Sequence, residues 1–196
     1  VCGSLNELLA LKPDYLVETA SPAAMKELAL PTLQNGTSIV TLSIGAFADT
    51  AFYQQVIKAA KENHARVYIA SGATGGFDVL RTATLMGNAS ANFFNEKGVR
   101  ALRRSQVYDP AMETEKRIVF SGTAREAINT FPTGLNVSVA ASLASVGPEK
   151  MHVTMQSTPG FIGDTQRVEI KNDEVRAVVE VYSATSAIAG WSVVST

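Results

Sequence analysis

The stretch "SIVTLSIGAFADTAFYQQVIKAAKENHARVYIASG", residues 38–72, decides the fold. It opens with the apolar run "SIVTLSIG" and closes with a second, "RVYIASG". Between them "DTAFYQQVIKAAKEN" places Phe52, Val56, Ala59 and Ala60 on one side of a helix. Strand, helix, strand with near-continuous apolar strands is the pattern of a parallel sheet covered by helices. The same rhythm holds upstream. "DYLVETA" reads as a buried strand. In "SPAAMKELALPTLQNG", Ser21 caps a helix that begins at Pro22 and carries Met25, Leu28 and Ala29 as its apolar stripe. Residues 14 to about 86 are therefore expected to form part of a doubly wound, Rossmann-type unit.

Beyond about residue 87 the rhythm changes. "KRIVFSG" reads as a strand, and "TAREAINTF" as a short helix in which Thr123 and Glu126 have capping-box spacing, with Pro132 beyond its end. "LNVSVAASLASVG" carries small residues at helical spacing, which predicts a helix packed closely against a neighbour. "MHVTMQS", "TQRVEIKN" and "EVRAVVEVYS" alternate as strands, the last two joined at Lys171 to Asp173, and "SAIAGWSVVS" closes as a helix. The expected fold class is α/β, a partial parallel sheet in a domain of residues 1–86, followed by an α+β domain of residues 87–196 with a mainly antiparallel sheet.

Composition narrows the function. Seventeen basic and 18 acidic residues nearly cancel, and aromatic residues are not interleaved with basic ones, so a nucleic-acid partner is not expected. The one basic cluster, Lys97, Arg100, Arg103 and Arg104, reads as a solvated helix face. Cys2 is the only cysteine, so one chain builds no internal disulfide and no cysteine zinc site. His64 reads as a helix end and His152 as a strand residue, neither with a ligand partner at metal spacing, so no metal is expected. With no apolar run of transmembrane length and no leader pattern, the expectation is a cytoplasmic protein without a membrane partner. The Asn-x-Ser/Thr triplets at Asn35, Asn88 and Asn136 then read as chance matches.

"SGATGGFDVLRTA", residues 71–83, puts three glycines within five positions at the carboxyl end of the third strand. Ligands of open α/β sheets bind at such ends, where "TASP" and "SIGAFAD" also fall. The stretch matches neither a Walker loop nor the dinucleotide fingerprint. The glycines either let a flat ring approach the backbone or permit a tight turn, and Thr74 is expected to cap the next helix, with Asp78 in its first turn.

"ETASPAAMKE", "SIGAFAD", "SGATGGFDVLR", "FSGTAREAINTFP" and "LNVSVAASLA" occur in the order and spacing of L-aspartate dehydrogenases, which the chain resembles over nearly its whole length. The resemblance implies a Rossmann domain for NAD or NADP and a second domain that completes the L-aspartate site and forms a homodimer. It implies oxidation of L-aspartate to iminoaspartate, which hydrolyses to oxaloacetate and ammonia or feeds NAD biosynthesis. By matched position, Ala20, Ser21 and Pro22, Ser43 and Ala46, and the turn Ser71, Gly72, Gly75 and Gly76 are the implied cofactor contacts. Asn136 is a cofactor or substrate contact, or else a structural amide at a helix start. Thr185 and Ser186 are donors to a substrate carboxylate, or else the cap of the last helix.

The chain also departs from the family. Seven residues beyond Pro159, where the family places a histidine, stands Gln166, which hydrogen-bonds but exchanges no proton near neutral pH. The family's Lys-Pro-Pro turn falls at about Asn95 to Lys97 without matching, and its Asn-Pro-Lys-Thr-Ser segment is reduced to "YSATS". The family's glycine loop would lie upstream of Val1, so the chain is expected to be a fragment. The alternatives to an aspartate dehydrogenase are a non-catalytic dimeric relative and a dehydrogenase for another amino or 2-oxo acid.

Overall fold

In the computed structural model, which describes residues 1–132 and 134–196, the apolar runs of the first third become three parallel strands. A short helix, α1 (Leu5–Ala10), leads into β1 (Tyr15–Glu18). Helix α2 (Pro22–Gln34), β2 (Ser38–Thr41), α3 (Thr50–Glu62) and β3 (Val67–Ile69) follow, and the sheet order is β1-β2-β3. Helix starts sit where side-chain acceptors stand. The Ser21 hydroxyl accepts from the Ala24 N–H at 3.1 Å, and Asp49 accepts from the Phe52 N–H at 3.1 Å. Met25, Ala29 and Leu33 of α2 and Phe52, Val56 and Ala59 of α3 share one core with Ile39 of β2.

Helix α4 (Phe77–Leu85) leads into β4 (Ser90–Gly98), and α5 (Val99–Leu102), β5 (Arg117–Thr123), α6 (Ala124–Thr130) and α7 (Asn136–Leu143) follow. Then come β6 (His152–Thr158), β7 (Asp164–Lys171), β8 (Arg176–Ser183) and α8 (Ala187–Ser195). The second sheet has the order β5-β6-β4-β7-β8. Only β4 and β6 run parallel, so the sheet is mainly antiparallel, as expected. The capping box is present, with Thr123 and Glu126 satisfying each other's backbone N–H groups. Those hydrogen bonds hold the Glu126 carboxyl below its usual pKa, the Thr123 backbone N–H first. The turn between β7 and β8 is fixed by Asn172 Oδ1, which accepts from the Glu174 and Val175 N–H groups.

One sequence expectation is corrected here. The segment around Asn95 to Lys97, where the family's turn does not match, is part of β4, the central strand of the second sheet. Lys97 therefore does not share a solvated helix face with its basic neighbours. It points inward, because the buried face of β4 runs Ala91, Phe93, Asn95, whereas Arg103 pairs with Glu113 on the surface. The small residues of α7 do find close neighbours. Val139 and Ala140 pack into the core of the parallel sheet, Ala141 and Ala144 into that of the second sheet, so one helix joins both cores.

Candidate functional site

The turn after β3 separates the glycines by role. Gly72 and Gly76 have φ of 65° and 68°, left-handed values that favour glycine, and a Cβ on Gly76 would lie 2.5 Å from Val179 Cγ2. Gly75 needs neither allowance: its φ is not positive and a Cβ there would meet nothing within 4 Å. Thr74 does not cap α4, which corrects the sequence expectation. The left-handed turn makes Gly76 the residue before the helix, and Thr74 Oγ1 is buried with no hydrogen-bond partner among the described residues. The Gly72 N–H donates at 3.0 Å to Ser192 Oγ of α8, which ties the C-terminal helix to this turn.

The first two turns are organised by a residue the sequence reading passed over. Glu18, 3% exposed at the end of β1, accepts through Oε1 from the Ala20 N–H at 2.8 Å, the Ser21 N–H at 3.1 Å and the Ser43 hydroxyl at 3.0 Å. Its Oε2 accepts from the Thr41 hydroxyl at 2.7 Å. One buried carboxylate thus fixes the turns at the ends of β1 and β2 through four charge-assisted hydrogen bonds. The signal was present in "YLVE", where Leu16 and Glu18 share the buried face. Ser43 is committed to Glu18. Ala46 is buried and borders a separate hollow beside Arg125, while Asn136 Oδ1 accepts from the Gly45 N–H at 2.8 Å.

A cavity of about 410 Å³ lies where the β3 turn, the start of α7 and one end of the second sheet meet. It brings together Gly72, Asn136, Gln166, Thr185 and Ser186 of the predicted residues. Ala20, Ser21, Pro22, Ser43, Ala46, Ser71, Gly75 and Gly76 do not line it. The sheet supplies a polar end that the sequence reading missed. Asn95 lies opposite Gln166 and Lys97 opposite Asp164 in the β4–β7 register, and Lys97 lies opposite Ser157 in the β4–β6 register. Lys97 Nζ donates to Asp164 Oδ2 at 2.6 Å, and Asn95 Nδ2 donates to the other Asp164 oxygen and to the Thr165 carbonyl. Gln166 is 2% exposed, and among the described residues its Oε1 has no hydrogen-bond partner, nor have Asn95 Oδ1 and Ser157 Oγ. Thr185 Oγ1 accepts from the Ala187 N–H at 3.2 Å, while Ser186 stands at the N-cap of α8 without a side-chain cap bond. Among the described residues no group of three or more His, Cys, Asp and Glu could hold a metal, and no helix is long and apolar enough to cross a membrane.

A parallel sheet with small-residue turns at its carboxyl ends, facing a polar sheet end across a cavity, is the architecture of a dinucleotide-dependent dehydrogenase. Residues 1–70 match the model of the homoserine dehydrogenase NAD-binding domain, and residues 78–196 that of the aspartate dehydrogenase C-terminal domain. The chain is thus an NAD(P)-dependent amino-acid dehydrogenase in class. It is 31% identical to the L-aspartate dehydrogenase of Methanococcus maripaludis strain C5, over 98% of this chain and 75% of that protein. With L-aspartate dehydrogenase 2 of Bordetella bronchiseptica it shares 33% over 93% of this chain and 69% of that protein. The solved aspartate dehydrogenase of Thermotoga maritima superposes with a TM-score of 0.79 at 30% identity, over 92% of this chain and 73% of that one. The chain belongs to the L-aspartate dehydrogenase family.

Proposed function

We propose that the protein oxidises L-aspartate to iminoaspartate in the cavity between the β3 turn and the polar end of the second sheet. The observation that carries this reading is the convergence in one cavity of the β3 turn, Asn136, Gln166, Ser186 and the Lys97–Asp164 pair. The β3 turn fits the flat end of a dinucleotide: Thr74 Oγ1 is a buried polar atom without a partner among the described residues, and the space before Gly75 is open. NAD or NADP, when bound, supplies the hydride acceptor.

The chain's own part is to hold and orient the amino acid. Hydride leaves Cα of the free amine, the substrate ammonium having first given its proton to solvent, as alkaline pH favours. Gln166 offers a carboxamide to the nitrogen and takes no proton itself. Asn136, whose Oδ1 is engaged by Gly45, keeps its Nδ2 as a donor at the cavity wall. Ser186 Oγ is a donor for a carboxylate. Positioning of this kind accounts for a large share of the acceleration in two-reactant sites.

The reading extends to a division into a dinucleotide-binding unit, residues 1–86, and a substrate unit, residues 87–196, each holding one of the two sheets, with Leu80 and Ala83 of α4 packed into the core of the second. It extends also to a homodimer, to a cytoplasmic setting, and to iminoaspartate feeding NAD biosynthesis or hydrolysing to oxaloacetate and ammonia. The test is to incubate the full-length protein with L-aspartate and either dinucleotide at alkaline pH and follow the absorbance of the reduced nicotinamide. Reduction that depends on L-aspartate supports the reading. Reduction only with another amino acid reassigns the substrate, and none with any amino acid overturns it.

A further inference from the structure

We infer that Lys97, fixed by Asp164 and Asn95, is the residue that receives a substrate carboxylate and makes the cavity selective for dicarboxylates. The inference rests on the reading of this cavity as the amino-acid site. Its basis is the valence of a nearly enclosed cation. The Lys97 side chain is 15% exposed and its ammonium carries three N–H donors. Asp164 accepts one of them, and no other hydrogen bond from Nζ is made among the described residues. A confined ammonium with unused donors is costly unless a ligand or water completes it.

Asp164 is not free to play that part. Lys97 occupies one of its oxygens and Asn95, fully buried, occupies the other. The carboxylate therefore acts as an anchor for Nζ in the cavity wall that Lys97 lines. Among the described residues Lys97 and Asp164 are the only charged side chains lining that cavity, so Lys97 is the one cation they supply. A substrate with one carboxylate can be held by the neutral donors of Thr185 and Ser186. A second carboxylate calls for a charge, and charge-assisted hydrogen bonds are roughly twice as strong as neutral ones. Lys97 also borders the adjoining hollow of about 540 Å³, whose other cation is Arg104. Arg104 is exposed and makes no ion pair among the described residues, which makes it the natural comparison.

The experiment uses succinate, a dicarboxylate without an amino group, titrated calorimetrically into the full-length protein with dinucleotide present, alongside steady-state kinetics with L-aspartate. Lys97→Met is expected to weaken succinate binding and raise KM for L-aspartate by about tenfold or more, with a smaller change in kcat and unchanged dinucleotide affinity. Because Lys97→Met strands Asp164 without its cation, the double variant Lys97→Met/Asp164→Asn is measured beside it and should show the same loss in a folded protein. Arg104→Gln should change succinate affinity by less. Wild-type protein that fails to bind succinate, a double variant that binds it as the wild type does, or a larger loss in Arg104→Gln would each overturn the assignment. Succinate bound through Lys97 without L-aspartate oxidation would instead overturn the reaction and leave the carboxylate site standing.

Discussion

Replacing Gly75 by alanine separates a cofactor contact from a turn requirement, with Gly76→Ala as its partner experiment. Gly76 has a φ of 68°, and its new methyl group would approach Val179 Cγ2 to 2.5 Å. A left-handed backbone costs a residue with Cβ about 1–2 kcal/mol, and displacing a packed valine adds about 1–3 kcal/mol. Gly76→Ala should therefore lose on the order of 2–5 kcal/mol. At Gly75 both penalties vanish, since φ is not positive and nothing lies within 4 Å. The folded state should accept the methyl group, and lower unfolded-state entropy should leave stability level or raised by about 0.4–1 kcal/mol. A nicotinamide lying against this turn would meet the methyl group, and a tenfold loss of dinucleotide affinity corresponds to about 1.4 kcal/mol. Urea unfolding gives the stabilities, and calorimetric titration of dinucleotide into the full-length variants gives the affinities. Stable Gly75→Ala protein with wild-type dinucleotide affinity would refute a ring contact at this turn. A loss of stability as large as that of Gly76→Ala would refute the reading of the backbone.

Gln166→His places in the cavity a group whose unperturbed pKa is ~6.5 and which burial moves lower. The pH profile of kcat/KM should gain a limb below that value, where the wild type follows the substrate ammonium alone; identical profiles would exclude a proton-transfer position. Ser192→Ala removes the acceptor of the Gly72 N–H and should cost about 1–3 kcal/mol in denaturant unfolding, together with earlier proteolysis of α8. Glu126 has a lowered folded pKa, so its stabilising contribution is complete above the unfolded carboxylate value and is lost as pH falls through the folded one. Glu126→Gln should flatten the stability curve in that acid window, as unfolding midpoints measured against pH would show. Light scattering at micromolar concentration should give twice the chain mass, and a monomer would count against the homodimer.

The parallel half was legible because its information is local: the cap at Ser21, helical stripes, and apolar strands separated by a helix. β4 was not, because its inward row reads Ala91, Phe93, Asn95, Lys97, and the change from apolar to polar along one face defeats the alternation that marks a half-buried strand. The arginines that follow then lent Lys97 a helical surface reading that the strand overrides. The same row explains where the site lies. Phe93 and Val168 face each other in the β4–β7 register inside the second core, and two residues further on Asn95 faces Gln166, then Lys97 faces Asp164. Apolar pairs bind the helices, and polar pairs floor the cavity where helix cover ends. A slip of one residue in β7 would turn Thr165 and Arg167 inward and remove both Asp164 and Gln166 from the site. The chemistry of the cavity is thus set by pairing between segments 67 residues apart. A stretch read alone carries none of that pairing, which is why Gln166 could be placed from a family pattern while its neighbours Asn95, Lys97 and Asp164 could not.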